Sequence, residues 1–325
     1  MDCFDVTILG CGSAKPTLRH QPSAQAIGWR GNVMLVDCGE GVQTALLRSR
    51  IPMSRVGHVF LSHLHGDHCL GLVGLLSTMG LGDRRGEVVI HTEPSAERIF
   101  RPLLDFFCPQ LTMDVRFASH DPRRVAVVYE DDAIAVTTVP LCHRVPTAGF
   151  VFREKMRQPH LNVERARSLG IPVEYYRLIK QGRDWTCADG RVVPNAELTL
   201  PPTPSRSYAY VSDTMYPADD TGVADTVAAC VDGVDVLYHE ATYSHDMLTK
   251  ARERGHSTAR QAAEMAQRAG VGRLVLGHFS SQYHTAEQEQ SLLDEARAVF
   301  ENTILAREGL SVDIATSLPE VGRKG

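Results

Sequence analysis

The run His63-Leu64-His65-Gly66-Asp67-His68 constrains this chain more than any other feature. It follows Val56–Leu61, an apolar stretch whose composition predicts a strand. Residues i and i+2 on extended backbone project to the same side, so His63 and His65 face together. Gly66 lets the backbone turn tightly and brings in Asp67 and His68. Four potential ligands within six residues are enough to serve two metal ions. Imidazole and carboxylate at this density suit Zn²⁺ or Mn²⁺. The competing reading is a surface turn that happens to be rich in histidine; the strand leading into the run argues against it.

Four ligands do not complete two sites, so further His and Asp are expected at strand ends. The chain supplies candidates because strand and helix signals alternate along it. Strands are expected at Phe4–Leu9, Ala26–Trp29, Val33–Asp37, Glu87–His91, Val115–Phe117, Val125–Tyr129, Ala133–Val139, Tyr208–Ser212, Val234–Tyr238 and Arg273–Leu276. Helices are expected at Val42–Arg48, Leu70–Met79, Ser95–Phe106, Ala224–Val231, Ala259–Ala269 and Ala286–Phe300. Arg30-Gly31-Asn32 reads as a hairpin turn, and Thr258 with Gln261 as a capping box. His143, Asp213 and His278 each follow an apolar β run, where open sheets place ligands. A lone His after a strand is more often structural. With the 63–68 run, however, these three make seven ligands, a number that serves two metals sharing Asp213. Asp37 reads equally as a partner for a metal-bound imidazole or as a turn residue. Cys69 reads as a small buried residue rather than a ligand.

The segment from 152 to 206 breaks the alternation. It is polar and irregular, and it ends in Pro201-Pro202-Thr203-Pro204. Ten basic residues stand against six acidic ones, a net of +4, whereas the whole chain carries −5. A positive insert on a negative body fits RNA backbone binding. Tyr175, Tyr176 and Trp185 are candidates to stack on bases, or equally to pack the insert's own base. A solvated loop without an RNA role is the other reading. The eight cysteines show no CxxC spacing, and the first residues lack a basic stretch followed by an apolar run. An intracellular, cytoplasmic protein with reduced thiols and no signal peptide is therefore expected. No stretch of about 18 apolar residues suggests a membrane span.

Several short motifs occur in a fixed order: Thr7-Ile8-Leu9-Gly10-Cys11-Gly12, the 61–68 run, Ser212-Asp213-Thr214, His239-Glu240-Ala241-Thr242, Gly255-His256-Ser257-Thr258-Ala259 and Gly277-His278-Phe279-Ser280-Ser281. Together the set resembles the ribonuclease Z family, the tRNA 3′-processing endonucleases of the metallo-β-lactamase superfamily. The resemblance implies an α/β fold, the metallo-β-lactamase αββα sandwich with a protruding arm insertion. It would divide the chain into 1–151, the inserted arm 152–206 and 207–325. It also implies two Zn²⁺ per subunit, with Mn²⁺ as the alternative. His63, His65 and His143 would hold one ion and Asp67, His68 and His278 the other, with Asp213 bridging. Asp67 would accept a proton from the attacking water. Glu240 and His256 would protonate the leaving 3′-oxygen, and Ser280 and Ser281 would bind the scissile phosphate. Gln282 stands where the family often carries Arg. The stretch after Gly170-Ile171-Pro172 also departs from the family's arm. The implied partner is precursor tRNA, cut by a homodimer that leaves a 3′-hydroxyl. The alternative is a small-molecule hydrolase on the same fold, such as a cyclic-nucleotide phosphodiesterase or arylsulfatase.

Overall fold

The computed structural model describes residues 4–156 and 158–314, which fall into two compact units. The first unit comprises residues up to Glu130, Ala135–Phe152 and Arg206 onward. Its first part runs β1 (Phe4–Gly10), β2 (Ala24–Trp29), β3 (Asn32–Cys38), α1 (Val42–Arg48), β4 (Val56–Phe60), α2 (Gly66–Cys69), α3 (Gly71–Leu81), β5 (Glu87–Thr92), α4 (Ala96–Phe107), β6 (Asp114–Ser119), β7 (Val127–Glu130), β8 (Ile134–Leu141) and β9 (Thr147–Glu154). Arg30 and Gly31 both have positive φ and form the two-residue turn joining β2 to β3, the mirror-image turn that matches strand twist.

The second unit takes Asp131–Ile134 and Arg153–Ser205. It contains β10 (His160–Leu161), α5 (Val163–Ser168), α6 (Tyr176–Lys180), β11 (Trp185–Thr186), β12 (Val192–Val193), α7 (Asn195–Leu198) and β13 (Thr199–Leu200). β10 pairs with β13 and β11 with β12, both antiparallel. Ala166, Ile171, Ile179, Val193 and Leu198 form its own small core, against which Tyr176 and Trp185 pack. This segment read as irregular in the sequence. Strands of two residues and a core of five buried side chains are too short to show a period. Trp185 packs into that core and meets Tyr175 edge to face at 4.8 Å. Arg167, Arg177, Arg183 and Arg191 are exposed, while Arg165 pairs with Glu197.

The first unit continues with β14 (Ser207–Val211), α8 (Gly222–Cys230), β15 (Val236–Glu240), α9 (Leu248–Arg254), α10 (Ala259–Arg268), β16 (Arg273–Gly277), α11 (Ala286–Arg297), β17 (Thr303–Leu305) and β18 (Ser311–Asp313). Its strands form two seven-stranded sheets, in orders β18-β1-β2-β3-β4-β5-β6 and β17-β16-β15-β14-β9-β8-β7. The runs β3 to β6 and β14 to β17 are parallel. Parallel strands are covered on both faces, which is why Val33–Val36 and Val88–Ile90 are continuously apolar. Helices α1, α3 and α4 pack together beside the first sheet. α10 packs against α8, α11, β15 and β16 beside the second. The expected capping box at Thr258 is present, and Thr285 with Gln288 forms another. The two sheets meet face to face through aromatic rings: Phe60 of β4 stacks on His91 and meets Phe150 and Phe152 of β9 edge-on at 5.4 and 5.3 Å.

One helix begins earlier than expected. The sequence predicts helix from Leu70, yet the chain is already helical at Gly66–Cys69. Asp67 and His68 therefore sit on a helical turn rather than on a loop. Among the described residues no helix is long and apolar enough to cross a membrane. The seven described cysteines are free thiols.

Phe60 has no exposed surface and joins the two sheets. Phe60→Ala should destabilise the protein by about 3–5 kcal/mol. A shifted denaturant midpoint with an unchanged slope is the expected outcome.

Candidate metal centre

The ends of β4, β14, β15 and β16 place side chains in one cleft of about 520 Å³, bordered by Ser13, Ala14, Asp67, Arg144, Lys250 and Ser281. At its floor two clusters meet. His63, His65, His143 and Asp213 bring ligand atoms within 4.8 Å of one another, and so do Asp67, His68 and His278. Asp213, fully buried just beyond β14, faces both. Its Oδ2 lies 3.7 Å from His63 Nε2 and 3.6 Å from His143 Nε2. Its Oδ1 lies 3.4 Å from His68 Nε2 and 3.2 Å from His278 Nε2. Asp67 Oδ2 completes the second group, 3.6 Å from His68 Nε2 and 3.5 Å from His278 Nε2.

The outer hydrogen bonds fix which nitrogen each ring presents. His68 Nδ1 donates to Asp37 Oδ2 at 2.6 Å. His143 Nδ1 donates to the Gly255 carbonyl at 2.7 Å. Ser62 Oγ donates to Asp37, so it accepts from His63 Nδ1 at 3.0 Å. Thr242 Oγ1 donates to Glu240 at 2.6 Å and accepts from His278 Nδ1 at 3.0 Å. Four imidazoles thus turn bare Nε2 lone pairs inward. His65 offers Nδ1, 3.0 Å from His63 Nε2 and 3.2 Å from His143 Nε2. His68 Nε2 and His278 Nε2 stand 3.2 Å apart, and two bare lone pairs this close repel unless a cation lies between them. Ligand nitrogens about 2.0–2.1 Å from a tetrahedral zinc would stand about 3.3–3.4 Å apart, close to the spacing seen. Asp213 Oδ1, buried and without a hydrogen-bond partner, points the same way. The donor set therefore fits two divalent ions. Burial opposes a charged Asp213, but with no metal in place the positive charge that His278, His68 and His256 can carry outweighs it and holds the carboxyl well below its usual range. Asp67 is likewise lowered against burial, chiefly by His68 and His278.

Asp37 is more than a turn residue. It is fully buried with φ 58°, and it accepts from Ser62 N, Ser62 Oγ, His68 Nδ1 and the Tyr210 hydroxyl. His278 also has positive φ, at 60°. A left-handed residue other than glycine is uncommon, and three of the six among the described residues, Asp37, His278 and the cleft-lining Ala14, lie here. Gly255 is needed at its position: its φ is 79°, and a Cβ there would meet His143 Nδ1 at 2.8 Å. Cys69 donates to the His65 carbonyl from a buried position, and burial pushes its thiol up to about 12.

Glu240 ends β15 and is wholly buried. It accepts from Thr214 N, Thr242 N, Ser257 N and His256 Nδ1, the last at 3.2 Å. His256 lines the cleft, with Nδ1 3.8 Å from Asp213 Oδ2. Ser280 and Ser281 line it too. Gln282 is engaged elsewhere, accepting from Lys250 Nζ at 3.0 Å. Lys250, Arg254 and Arg144 border the cleft beside the serines, and none was singled out in the sequence. Lys250 and Arg254 lie on α9 directly after the His-Glu-Ala-Thr motif, and that adjacency was the available signal.

Residues 4–145 match the protein-family profile described as anti-Pycsar protein Apyc1. Over 97% of this chain and 100% of the relative, the sequence is 46% identical to a ribonuclease Z of Bacteroides fragilis. The chain belongs to the ribonuclease Z family. A ribonuclease Z of Porphyromonas gingivalis is 44% identical over 97% of this chain and 100% of that one. Among solved structures, the short form of human tRNase Z superposes with a TM-score of 0.66 at 24% identity, covering 96% of this chain and 99% of that one. The metallo-β-lactamase fold protein YhfI of Bacillus subtilis gives 0.65 at 19% identity, covering 96% and 100%. The expected metallo-β-lactamase fold is thus the fold observed, and family membership makes the chain an enzyme of the ribonuclease Z type.

Two tests follow from the buried network. Asp37→Ala strands several buried donors at about 1–3 kcal/mol each, so a loss of at least about 3 kcal/mol is expected in chemical denaturation. The second concerns metal-depleted protein. Burial opposes a charged His256, but Glu240 and Asp213 outweigh it and push its pKa from 6.5 up to about 9. A raised folded pKa contributes stability that is complete below about pH 6.5 and lost as pH rises through about 9. Denaturant midpoints should fall across that window, and His256→Asn should flatten the fall.

Proposed function

We propose that this protein is a zinc-dependent endoribonuclease that removes the 3′ trailer of precursor tRNA by phosphodiester hydrolysis, leaving a 3′-hydroxyl. The observation that carries the reading is the pair of ligand clusters facing the two oxygens of Asp213. His63, His65 and His143 would hold one Zn²⁺, and Asp67, His68 and His278 the other, with Asp213 between them. The chemistry that such a pair supplies is neutralisation of the phosphodiester charge and acidification of an attacking water. Asp67 accepts a proton from that water.

His256 and Glu240 serve the other side of the reaction. With Nδ1 held by Glu240, Nε2 is the ring nitrogen free to donate. The Glu240 carboxylate on Nδ1 favours the protonated imidazole, so it protonates the leaving 3′-oxygen. Glu240 orients the ring and stabilises its charge. Ser280 and Ser281 donate to the scissile phosphate. Lys250, which borders the cleft beside them, supplies the positive charge that Gln282 lacks.

Residues 152–206 serve as the tRNA-gripping arm. Exposed Arg167, Arg177, Arg183 and Arg191 give it the means to contact phosphates without base specificity. Names of the relatives support the substrate: the curated ones are called ribonuclease Z, and the solved human structure tRNase Z. The same reading makes the protein a cytoplasmic homodimer, a subunit count that sedimentation of the purified protein tests.

Purified protein should cut precursor tRNA bearing a 3′ trailer and stop when a chelator is added. The upstream product should be extendable without phosphatase treatment. Metal-loaded protein that leaves the trailer intact sinks the reading. Asp67→Ala should abolish cleavage with an unchanged circular dichroism spectrum, and His256→Ala should lower kcat by about 10²–10⁴. Changing Arg167, Arg177, Arg183 and Arg191 together to Gln should raise KM for precursor tRNA and flatten its salt dependence. Hydrolysis of bis(p-nitrophenyl) phosphate should be unchanged; a parallel fall in both activities contradicts the role of the arm.

A further inference from the structure

A cluster of charged side chains outside the cleft has no part in the chemistry above. His20 is buried between two carboxylates, with Nε2 2.9 Å from Glu289 Oε1 and Nδ1 3.1 Å from Glu308 Oε2. Arg19 grips Glu289 with two hydrogen bonds, Nε to Oε1 at 3.0 Å and Nη2 to Oε2 at 2.8 Å. Gln21 N donates to Glu308 Oε1 at 2.9 Å. Cys11, His20 and Glu308 also lie within metal-ligand reach of one another. Both ring nitrogens of His20 already face carboxylates, however, so neither offers a free lone pair. Two cations and two anions balance here, which is how a buried cluster of this size keeps its charges.

Arg19 and His20 belong to the Ser13–Pro22 loop between β1 and β2, whose near end forms one wall of the cleft. There Ala14 N–H donates to Asp67 Oδ2 at 2.6 Å. Ala14 makes this contact in a left-handed conformation, φ 64°, which its Cβ disfavours, so the loop needs an outside hold. Thr17 Oγ1 accepts from Arg19 N at 3.2 Å and from His20 N at 2.9 Å, which stiffens the connection between the two ends. The anchors at the far end come from distant sequence: Glu289 from α11 and Glu308 from the segment after β17. None of the four charged residues lines the cleft.

We propose that Arg19, His20, Glu289 and Glu308 form a latch that positions Asp67, by holding the Ser13–Pro22 loop so that the Ala14 amide stays on the Asp67 carboxylate. These are positioning residues, and they act only through the loop. A carboxylate held by a backbone N–H keeps its orientation and its ionised form, both of which a metal ligand requires. The inference rests on the reading of Asp67 as a ligand in the hydrolytic site.

Glu289→Gln keeps the shape of the latch and removes a charge. Hydrogen exchange of the peptide covering Gly12–Arg19 should speed up by about tenfold. Zinc should be lost to a competing chelator at about 10–100-fold lower chelator concentration, the range for removing a partner of a metal ligand. kcat should fall by a similar factor on bis(p-nitrophenyl) phosphate and on precursor tRNA. Should Glu289→Gln fail to fold, Arg19→Met makes the same cut at the latch's more exposed end, and Arg19→Lys should restore part of the loss. Unchanged exchange and unchanged zinc retention in these variants overturn the latch, even if thermal stability drops. The exchange and chelator readouts stand whether or not the wild-type protein cuts precursor tRNA, so the two readings fail separately.

Discussion

Asp213 is a carboxylate buried among imidazoles, and the rest of the molecule is arranged around the cost of that burial. An unpaired charge in a dry interior costs several kcal/mol. Here Oδ1 of Asp213 faces ring nitrogens of two histidines and Oδ2 those of three, and a further layer of acceptors holds the rings in place. Asp37, the Gly255 carbonyl, Ser62 and Thr242 each take an Nδ1 proton. The ligand nitrogens converge because the outer nitrogens are tied down. Precise presentation of this kind is what a two-metal site needs, since misplaced ligands lose affinity steeply.

The two-sheet architecture makes this crowding possible. Parallel strands β3, β4 and β14 to β16 end beside the cleft, so residues far apart in the chain arrive together there. The aromatic packing of Phe60 against Phe150 and Phe152 brings the sheets to a fixed separation. Across the same interface, the Tyr210 hydroxyl of one sheet reaches Asp37 of the other. Core packing and site geometry are therefore the same contacts seen from two sides. Strain is also placed at the site: Asp37, His278 and Ala14 all adopt positive φ.

Glu240 and His256 form a hydrogen-bonded pair beside the two clusters. The other histidines of the cleft turn bare nitrogens toward Asp213. His256, like His68 on Asp37, has its Nδ1 on a carboxylate, but its ring lines the open cleft, and the pairing with Glu240 favours its protonated form. Its partner Glu240 also accepts from Thr242, whose hydroxyl holds His278. The Glu240–His256 pair and His278 thus share one hydrogen-bond network.

The sequence alone identified the seven ligand candidates, because a His-X-His-Gly-Asp-His run and residues at strand ends are set by local spacing. It also identified most strands and helices of the larger unit, but missed β9, α9, β17 and β18. It left Asp37 undecided, because whether a carboxylate after a strand reaches an imidazole depends on chain 25 to 31 residues away. The 152–206 segment read as irregular because its elements run from two to six residues. Arg19, His20, Glu289 and Glu308 carried no motif at all. Their partners lie about 270 to 290 residues apart, and only folding brings such charges within hydrogen-bond reach. Local geometry is written in neighbouring residues; the pairing of distant charges is decided by how the layers close.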